Sequence, residues 1–245
     1  MVLALIEHQD GEPTELALEL MTFARRVGSD TGSPVEAAVF GDSGDAVVDA
    51  LGSYGVETVH HITHDGLDAY APDAWAASLI QLAADRDQST IVAPGSDRGQ
   101  EVIARVGAQL DLPMAANCLS IDVGDPTELT RQRWGGSLIE HAQIEGDPLL
   151  LTAAPHEFPI EEVAETTSPA VEPFTPELSD DQLRVRVERV ETSDIEGVPL
   201  GEARVVVGGG RGVGGADDFE ILEELADLLG GTVGASRAAV NEGWR

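Results

Sequence analysis

The sequence predicts an α/β protein in two parts, built on parallel strands that alternate with helices. Over about the first 110 residues, four apolar, β-branched runs alternate with four amphipathic stretches. This alternation is typical of a parallel sheet with right-handed crossovers. Short extended runs follow, and towards the C-terminus a strand leads into a glycine-rich loop and a helix. That last order is the one with which α/β proteins hold phosphate groups.

Composition indicates a cytoplasmic, halophilic protein. The 245 residues carry a formal net charge of −31, from 45 acidic residues against 14 basic ones. All of the basic residues are arginine. A surface of this kind stays hydrated in concentrated salt, where charge repulsion is screened within a few ångströms. It disfavours nucleic acid as a partner, since neutralising phosphates needs clustered lysine or arginine.

Two further features narrow the class of protein. No apolar run reaches the roughly 20 residues that span a bilayer, and the N-terminus lacks the basic region of a signal peptide. We therefore expect a protein that does not span the membrane. The single cysteine, Cys118, excludes disulfide bonds within the chain, and we expect it to be a small buried hydrophobe.

The first part begins with an apolar strand over residues 2–7 and a polar turn over residues 8–12. Pro13 is expected to open the first helix, where its missing N–H costs nothing, and Gly28 to end it. Three further pairs of strand and helix follow. The strands are predicted at 35–40, 56–62 and 89–93, and the helices at 42–53, 72–84 and 100–110. We assign Ser96, Asp97 and Arg98 to the cap of the last helix.

The pattern then changes to short extended runs separated by turns. They predict an antiparallel extension of the sheet, at residues 120–123, 129–134, 137–144 and 149–153. Residues 155–181 are rich in proline, glutamate, serine and threonine and predict a linker. Residues 183–190, LRVRVERV, alternate as a strand does. We place the domains at 1–197 and 198–245.

The glycine-rich loop of the second part is the strongest candidate for a binding site. Residues 210–215, GRGVGG, fit the pattern G-x-G-x-x-G, which is weak evidence alone, because glycine loops are often only tight turns. No lysine follows, so it is not a P-loop. Arg211 in this loop and Arg237 after the next strand are candidate anion ligands. Surface ion pairs are the alternative for both.

The helix after the loop has recognisable ends. Asp217 is expected to cap it, with Glu220 three residues later completing a capping box. Gly230 and Gly231 are expected to stop it. Its predicted apolar face consists of Phe219, Leu222, Leu225, Ala226 and Leu229.

The other polar groups give no catalytic centre. His60, His61 and His64 cluster, but they span a strand end and a loop without a cysteine to complete a ligand set, so we expect solvated histidines rather than a metal site. No Ser/His/Asp or Cys/His arrangement stands out. The residues alone predict a nucleotide-binding α/β protein with no visible hydrolytic centre.

The second part closely resembles the alpha subunit of electron transfer flavoproteins. The resemblance rests on VVVGGGRG at 205–212, on a helix that contains Asp218 and Phe219, and on VGASRAAV at 233–240 before Gly243 and Trp244. The first part resembles the family less densely. LALIEH at 3–8 and RVGA at 105–108 match it.

A third match in the first part has departures. Arg131, Trp134 and Gly136 resemble the family's R-x-x-Y-x-G strand, with Trp134 in place of tyrosine and Ser137 in place of the usual asparagine. Asn117 stands where the family has aspartate.

This resemblance implies a flavin carrier. The family's N-terminal domain has an adenine nucleotide alpha hydrolase-like fold, and its second domain is a doubly wound fold that holds FAD. Such alpha subunits pair with a beta subunit, take electrons from dehydrogenases such as the acyl-CoA dehydrogenases of fatty acid β-oxidation, and pass them to a quinone oxidoreductase. The protein would then be an electron carrier and not a substrate-converting enzyme.

The resemblance also assigns residues to the flavin. Arg211, Ser236 and Arg237 match flavin-contacting positions, with Arg237 nearest the isoalloxazine ring. A fixed cation at 4 Å and an effective dielectric near 20 stabilises a negative charge by at most about 4 kcal/mol, or ~170 mV for one electron.

One expectation concerns length. The family continues beyond the position of Arg245, so we expect an incomplete FAD-binding domain that by itself binds FAD weakly or not at all. The alternative to an electron carrier is a nucleotide-binding or subunit-scaffolding α/β module without a redox role. It remains open at this point because the fold alone does not determine the function.

Overall fold

The computed structural model describes residues 1–9, 11–41, 44–67, 69–189, 200 and 203–245. These fall into two compact units, Met1–Glu188 and Arg189–Arg245. The predicted domain boundary at 197/198 lies outside the described residues and stays a prediction. Among the described helices, none is long and apolar enough to cross a membrane.

The first unit is built on a large sheet flanked by helices. Its strands are β1 Val2–Ile6, β2 His8–Gln9, β3 Glu12–Pro13, β4 Val35–Phe40, β5 Thr58–Ile62, β6 Thr90–Ala93, β7 Met114–Asp122, β8 Thr127–Arg133, β9 Leu138–Ile144, β10 Leu149–Ala153 and β11 Ala170–Phe174. Its helices are α1 Glu15–Thr31, α2 Gly44–Gly52, α3 Pro72–Asp85 and α4 Asp97–Leu110.

Nine of these strands form one sheet in the order β11-β5-β4-β1-β6-β10-β7-β8-β9. Strands β11 to β7 run parallel, and β7, β8 and β9 form an antiparallel meander. The predicted parallel sheet with an antiparallel extension is therefore confirmed. The placement of residues 149–153 in the extension was wrong, because β10 lies inside the parallel part. All five of its residues are buried, as in strands covered on both faces.

Two predictions for the end of this unit were wrong. Residues 170–174, assigned to a linker, form edge strand β11 beside β5. Residues 183–189, assigned to a strand, form a turn and irregular backbone, and residue 190 lies outside the described part. Leu183 packs against the core and the Val187 amide donates to the Tyr70 carbonyl at 2.8 Å. Leu183 and Val187 are therefore held by tertiary contacts and not by strand pairing, while Val185 between them is 48% exposed.

The ends of α1 also differ from expectation. Pro13 lies in the small β2–β3 hairpin, and Thr14 caps the helix by accepting from the Ala17 amide at 3.2 Å. The helix continues past Gly28 to Gly32, whose φ of 63° is left-handed. Gly28 is needed for another reason: a Cβ there would lie 2.7 Å from the Ser33 carbonyl oxygen, where the chain returns over the last turn.

The core of the first unit has two apolar layers, one on each face of the sheet. One lies under α1 and α2 and the other under α3 and α4. His60 is buried between strands, 1% exposed, with Nε2 at 2.7 Å from a Glu36 carboxylate oxygen. The expectation that His60 is solvated was wrong, because Glu36 supplies a buried partner. Among the described residues no group of three or more potential ligands could hold a metal ion.

The second unit is a small α/β element. Strands β12 Val206–Gly209 and β13 Thr232–Ala235 pair in parallel, with helices α5 Glu220–Leu229 and α6 Arg237–Asn241. Single 3₁₀ turns occupy Arg211–Val213 and Asp217–Phe219. The predicted order of strand, glycine loop, helix and strand is confirmed. The predicted cap is not: α5 begins at Glu220 without a side-chain cap, because Asp217 itself starts a 3₁₀ turn.

Cys118 is fully buried, as expected. Burial raises the pKa of its thiol to about 12, so the reactive thiolate is scarce at neutral pH. We predict that the folded chain does not react with a thiol reagent such as DTNB at pH 8 over an hour, and that one thiol per chain reacts once urea unfolds it. Rapid labelling of one thiol in the native protein would contradict this placement.

Candidate functional site

In the second unit the segments that follow β12 and β13 lie side by side, and each carries one arginine. Gly209 and Ala235 are register partners at the carboxyl ends of β12 and β13. The Ser236 amide donates to the Gly209 carbonyl at 2.8 Å, which extends the pairing by one residue. Arg211 and Arg237 each lie two residues beyond the end of their strand. The carboxyl ends of adjacent parallel strands are where open α/β sheets bind ligands.

Close packing of α5 on β12 explains one of the loop glycines. A Cβ on Gly209 would lie 2.5 Å from the Phe219 ring and 2.6 Å from Leu222. Phe219 is buried, as the apolar face of α5 predicts, but Leu225 and Leu229 of that predicted face are 44% and 53% exposed. The helix therefore reaches the strand backbone at its N-terminal end only because position 209 has no side chain.

Other glycines of β12 and of the loop leave the backbone accessible to a ligand. A Cβ on Gly208 or Gly212 would meet no atom within 4 Å in the described structure. A Cβ on Gly210 would come within 3.5 Å of the Ser236 hydroxyl oxygen. Bare backbone beside a hydroxyl and two arginines is a surface that a large anionic group can approach closely.

Ser236 links the second loop to α6. Its hydroxyl oxygen caps the helix, accepting from the Ala239 amide at 3.3 Å. The hydroxyl proton is then available to a ligand. Arg237 is the first residue of α6 and Arg211 the first of its 3₁₀ turn, and both are exposed. Within the described residues neither forms an ion pair, contrary to the alternative that they serve only as surface pairs.

The start of α5 does not match a pyrophosphate site. Asp217 and Asp218 precede it, Glu220 and Glu223 lie in its first turn, and the Cβ position of Gly214 lies 3.1 Å from an Asp218 carboxylate oxygen. Negative charge at a helix N-terminus repels a phosphate that would otherwise bind there. The sequence thus fits the pattern G-x-G-x-x-G, but the groups whose chemistry suits an anion are Arg211, Ser236 and Arg237, not the start of α5.

The first unit contains a polar contact at a strand-order reversal that the sequence did not reveal. Strands β1 and β6 are neighbours where the strand order reverses, a position where nucleotides bind in related sheets. Here the buried carboxylate of Glu7 accepts from the Ser96 hydroxyl at 2.5 Å, at the N-terminus of α4. Burial raises the pKa of Glu7 above its usual range. The Ser96 hydroxyl at the N-terminus of α4 is therefore bonded to a side chain of this unit.

Several of the first-unit residues that carry the family resemblance lie in the antiparallel meander, and Arg105 lies on α4. Asn117 has a left-handed φ of 56°, and its side-chain oxygen accepts from the Gln100 amide at 3.2 Å. Arg131 pairs with Glu140 at 2.5 Å across β8 and β9. Trp134 lies in the turn between these strands and is 81% exposed. Arg105 bonds Glu101 and Asp73 on the outside of α4.

The chain is an α/β protein whose second unit presents open glycine backbone, a hydroxyl and two exposed arginines at the carboxyl ends of its parallel strands, features that suit an anionic group. Comparison with known families agrees. Residues 2–179 match the electron transfer flavoprotein domain, and residues 199–245 match the electron transfer flavoprotein FAD-binding domain.

Individual relatives give the same result. Protein FixB of Clostridium saccharobutylicum is 34% identical over 97% of this chain and 72% of its own length. Electron transfer flavoprotein subunit alpha of Mycobacterium leprae is 32% identical over 99% of this chain and 74% of its own. The subunit alpha of Thermoanaerobacterium thermosaccharolyticum is 29% identical over 97% and 73%. The chain belongs to the electron transfer flavoprotein alpha subunit family, whose cofactor is FAD.

The two neighbouring glycines of β12 offer a matched test of the loop's architecture. Gly209→Ala places a methyl group against Phe219 and Leu222, so we expect the second unit to lose about 1–3 kcal/mol of stability. Gly208→Ala adds the same methyl group to open space and is expected to change stability by less than about 0.5 kcal/mol. Urea unfolding followed by circular dichroism measures both; equal effects of the two substitutions would contradict the packing described.

Proposed function

We propose that this chain is the alpha subunit of an electron-carrying flavoprotein that binds FAD together with a beta subunit. It receives electrons from dehydrogenases, among them acyl-CoA dehydrogenases of fatty acid β-oxidation, and delivers them to a quinone oxidoreductase. We place it in the cytoplasm of a cell with high internal salt. The observation that carries the proposal is the pair of adjacent strand ends with open glycine backbone and one unpaired arginine each.

The residues present fit a flavin dinucleotide. Gly208 and Gly212 leave room for a large group to approach the backbone, and the Ser236 hydroxyl can donate a hydrogen bond. Arg211 and Arg237 supply positive charge for an anionic cofactor in a chain of net charge −31. Bound FAD supplies the redox chemistry, since it can accept and release electrons one or two at a time.

The arginines would do more than hold the cofactor. A cation fixed beside a redox group stabilises the negative charge that arrives with an electron, and so raises the reduction potential. Because Arg211 and Arg237 lie on an exposed surface, solvent screening reduces this effect to about 1 kcal/mol or less. Enclosure by the beta subunit and the cofactor would strengthen it, since the local dielectric constant falls when water is excluded.

An electron carrier also fits the chemistry of the described residues better than an enzyme does. The buried thiol of Cys118 has a raised pKa and is a poor nucleophile. The alternative of a nucleotide-binding module without redox function finds less support, because residues 199–245 match an FAD-binding domain.

The proposal predicts a coloured complex. Co-expressed with its beta subunit and purified in high salt, the chain should show flavin absorbance with about one FAD per pair of subunits. A well-folded, colourless complex that remains colourless after incubation with FAD would contradict the proposed function.

A charge substitution tests the assigned residues. In that complex, Arg237→Gln should lower the flavin reduction potential by at least about 20–40 mV per electron, the equivalent of roughly 0.5–1 kcal/mol for a solvent-screened charge. Arg204→Gln removes an equal charge at the opposite, amino end of β12 and serves as the control. Anaerobic titration measures both potentials; a shift of the same size in both variants, or in neither, would refute a local role for Arg237.

A further inference from the structure

The turn between β8 and β9 exposes the largest apolar side chain of the described surface. Trp134 is 81% exposed, in a chain with only three tryptophans. Leu138 and Ile139, the first residues of β9, are 56% and 54% exposed. We call residues 131–139 the hairpin tip. Leu138 and Ile139 are consecutive in a strand and point to opposite faces, so one of them extends the apolar surface on each side of the hairpin. Large exposed apolar side chains close together in the chain are typical of a surface that another protein covers.

Backbone geometry at the hairpin tip is an independent observation. Trp134 has a φ of 54°, and Gly135 and Gly136 follow with φ of 59° and 84°. The left-handed region suits glycine or asparagine and is unfavourable for a bulky residue. Because the Trp134 side chain is mostly in solvent, packing within this chain does not account for a tryptophan in that conformation.

The hairpin tip lies at the unprotected edge of the sheet. β9 and β11 are the two edge strands of the nine-stranded sheet. β11 contains Pro173, which removes a backbone donor and discourages further pairing. β9 has seven residues, no proline and exposed apolar side chains at its start. Natural proteins usually blunt such an edge unless a partner covers it.

Charge distinguishes the hairpin tip from the rest of the surface. Residues 129–139, LTRQRWGGSLI, contain two arginines and no acidic residue, within a chain of net charge −31. The Arg133 side chain is 47% exposed, and its nearest carboxylate, Glu140, is 3.9 Å away and closer to Arg131. Carboxylates of a partner meet less repulsion at the hairpin tip than at a surface rich in acidic residues. Tryptophan and arginine are also the residues that most often dominate binding energy.

We propose that the hairpin tip is a docking surface for the beta subunit, with Trp134 as its anchor. The surface it fits is an apolar socket that receives the indole ring, rimmed by carboxylates that face Arg133. This inference rests on the proposed function, since it takes the beta subunit as the partner. It adds a specific contact to the pairing that the family implies.

The test uses the full chain and purified beta subunit in a titration by fluorescence or calorimetry. Trp134→Asn removes the ring and places a residue suited to positive φ, so the variant should unfold at the same or a higher temperature than the wild type. Its dissociation constant for the beta subunit should be at least tenfold higher. Arg133→Gln should weaken binding by a smaller factor, and less so at high salt. Ile160→Asn, at a site 41% exposed outside the hairpin, is the control and should bind as the wild type does.

The possible results distinguish failure of the docking surface from failure of the proposed flavoprotein function. Weaker binding by Trp134→Asn with unchanged thermal stability supports the docking surface. Equal binding by Trp134→Asn, Ile160→Asn and wild type overturns it and leaves the flavoprotein function intact. Failure of the wild type to bind the beta subunit overturns both. Self-association of the chain alone that Trp134→Asn abolishes would mean that a second copy occupies the surface, which also overturns the proposal.

Discussion

The contact between α5 and the backbone of β12 is the constraint on which the proposed flavin site depends. Gly209 lets Phe219 and Leu222 rest directly on the strand, and at the other end of the helix a Cβ on Gly231 would lie 2.4 Å from the Val205 carbonyl oxygen. The helix is thereby fixed at both ends against a strand of four residues. After α5 the chain returns as β13, which pairs in parallel with β12. Ser236 and Arg237 therefore follow β13 at the same level as Gly210 and Arg211 follow β12. Without glycine at these positions the two strand ends would not be held in register.

The distribution of charge in the second unit determines where an anionic cofactor could bind. Helix α5 begins with acidic residues, which would repel a phosphate at the place where dinucleotide folds usually bind one. Positive charge is placed instead at Arg211 and Arg237, beyond the strand ends. In a chain without lysine, positive charge is scarce. We associate Arg211 and Arg237, which form no ion pair within the described residues, with the cofactor. We associate the hairpin tip, whose Arg131 and Arg133 face Glu140, with the partner.

Periodicity predicted most elements and the parallel core, because a strand buried on both faces and an amphipathic helix have distinct patterns. It failed where tertiary contacts replace local ones. The amino-acid sequence of β10 does not distinguish it from a strand of the antiparallel extension. β11 contains Glu172 and Pro173 and therefore lacks the composition of a typical strand. Residues 183–189 alternate without pairing, because their contacts are with residues 66–70. The glycine loop and both arginines were found from the sequence. The carboxylate of Glu7 was not, since its partner Ser96 is 89 residues away.

The central claim is that FAD lies at the carboxyl ends of β12 and β13. Hydrogen exchange of the complex with its beta subunit, compared with and without FAD, tests it most directly. The account predicts slower exchange on FAD binding at the amides of residues 208–212 and 236–239, and unchanged exchange at residues 95–99 beside Glu7. Protection centred on residues 95–99, with none at the two glycine loops, would contradict it.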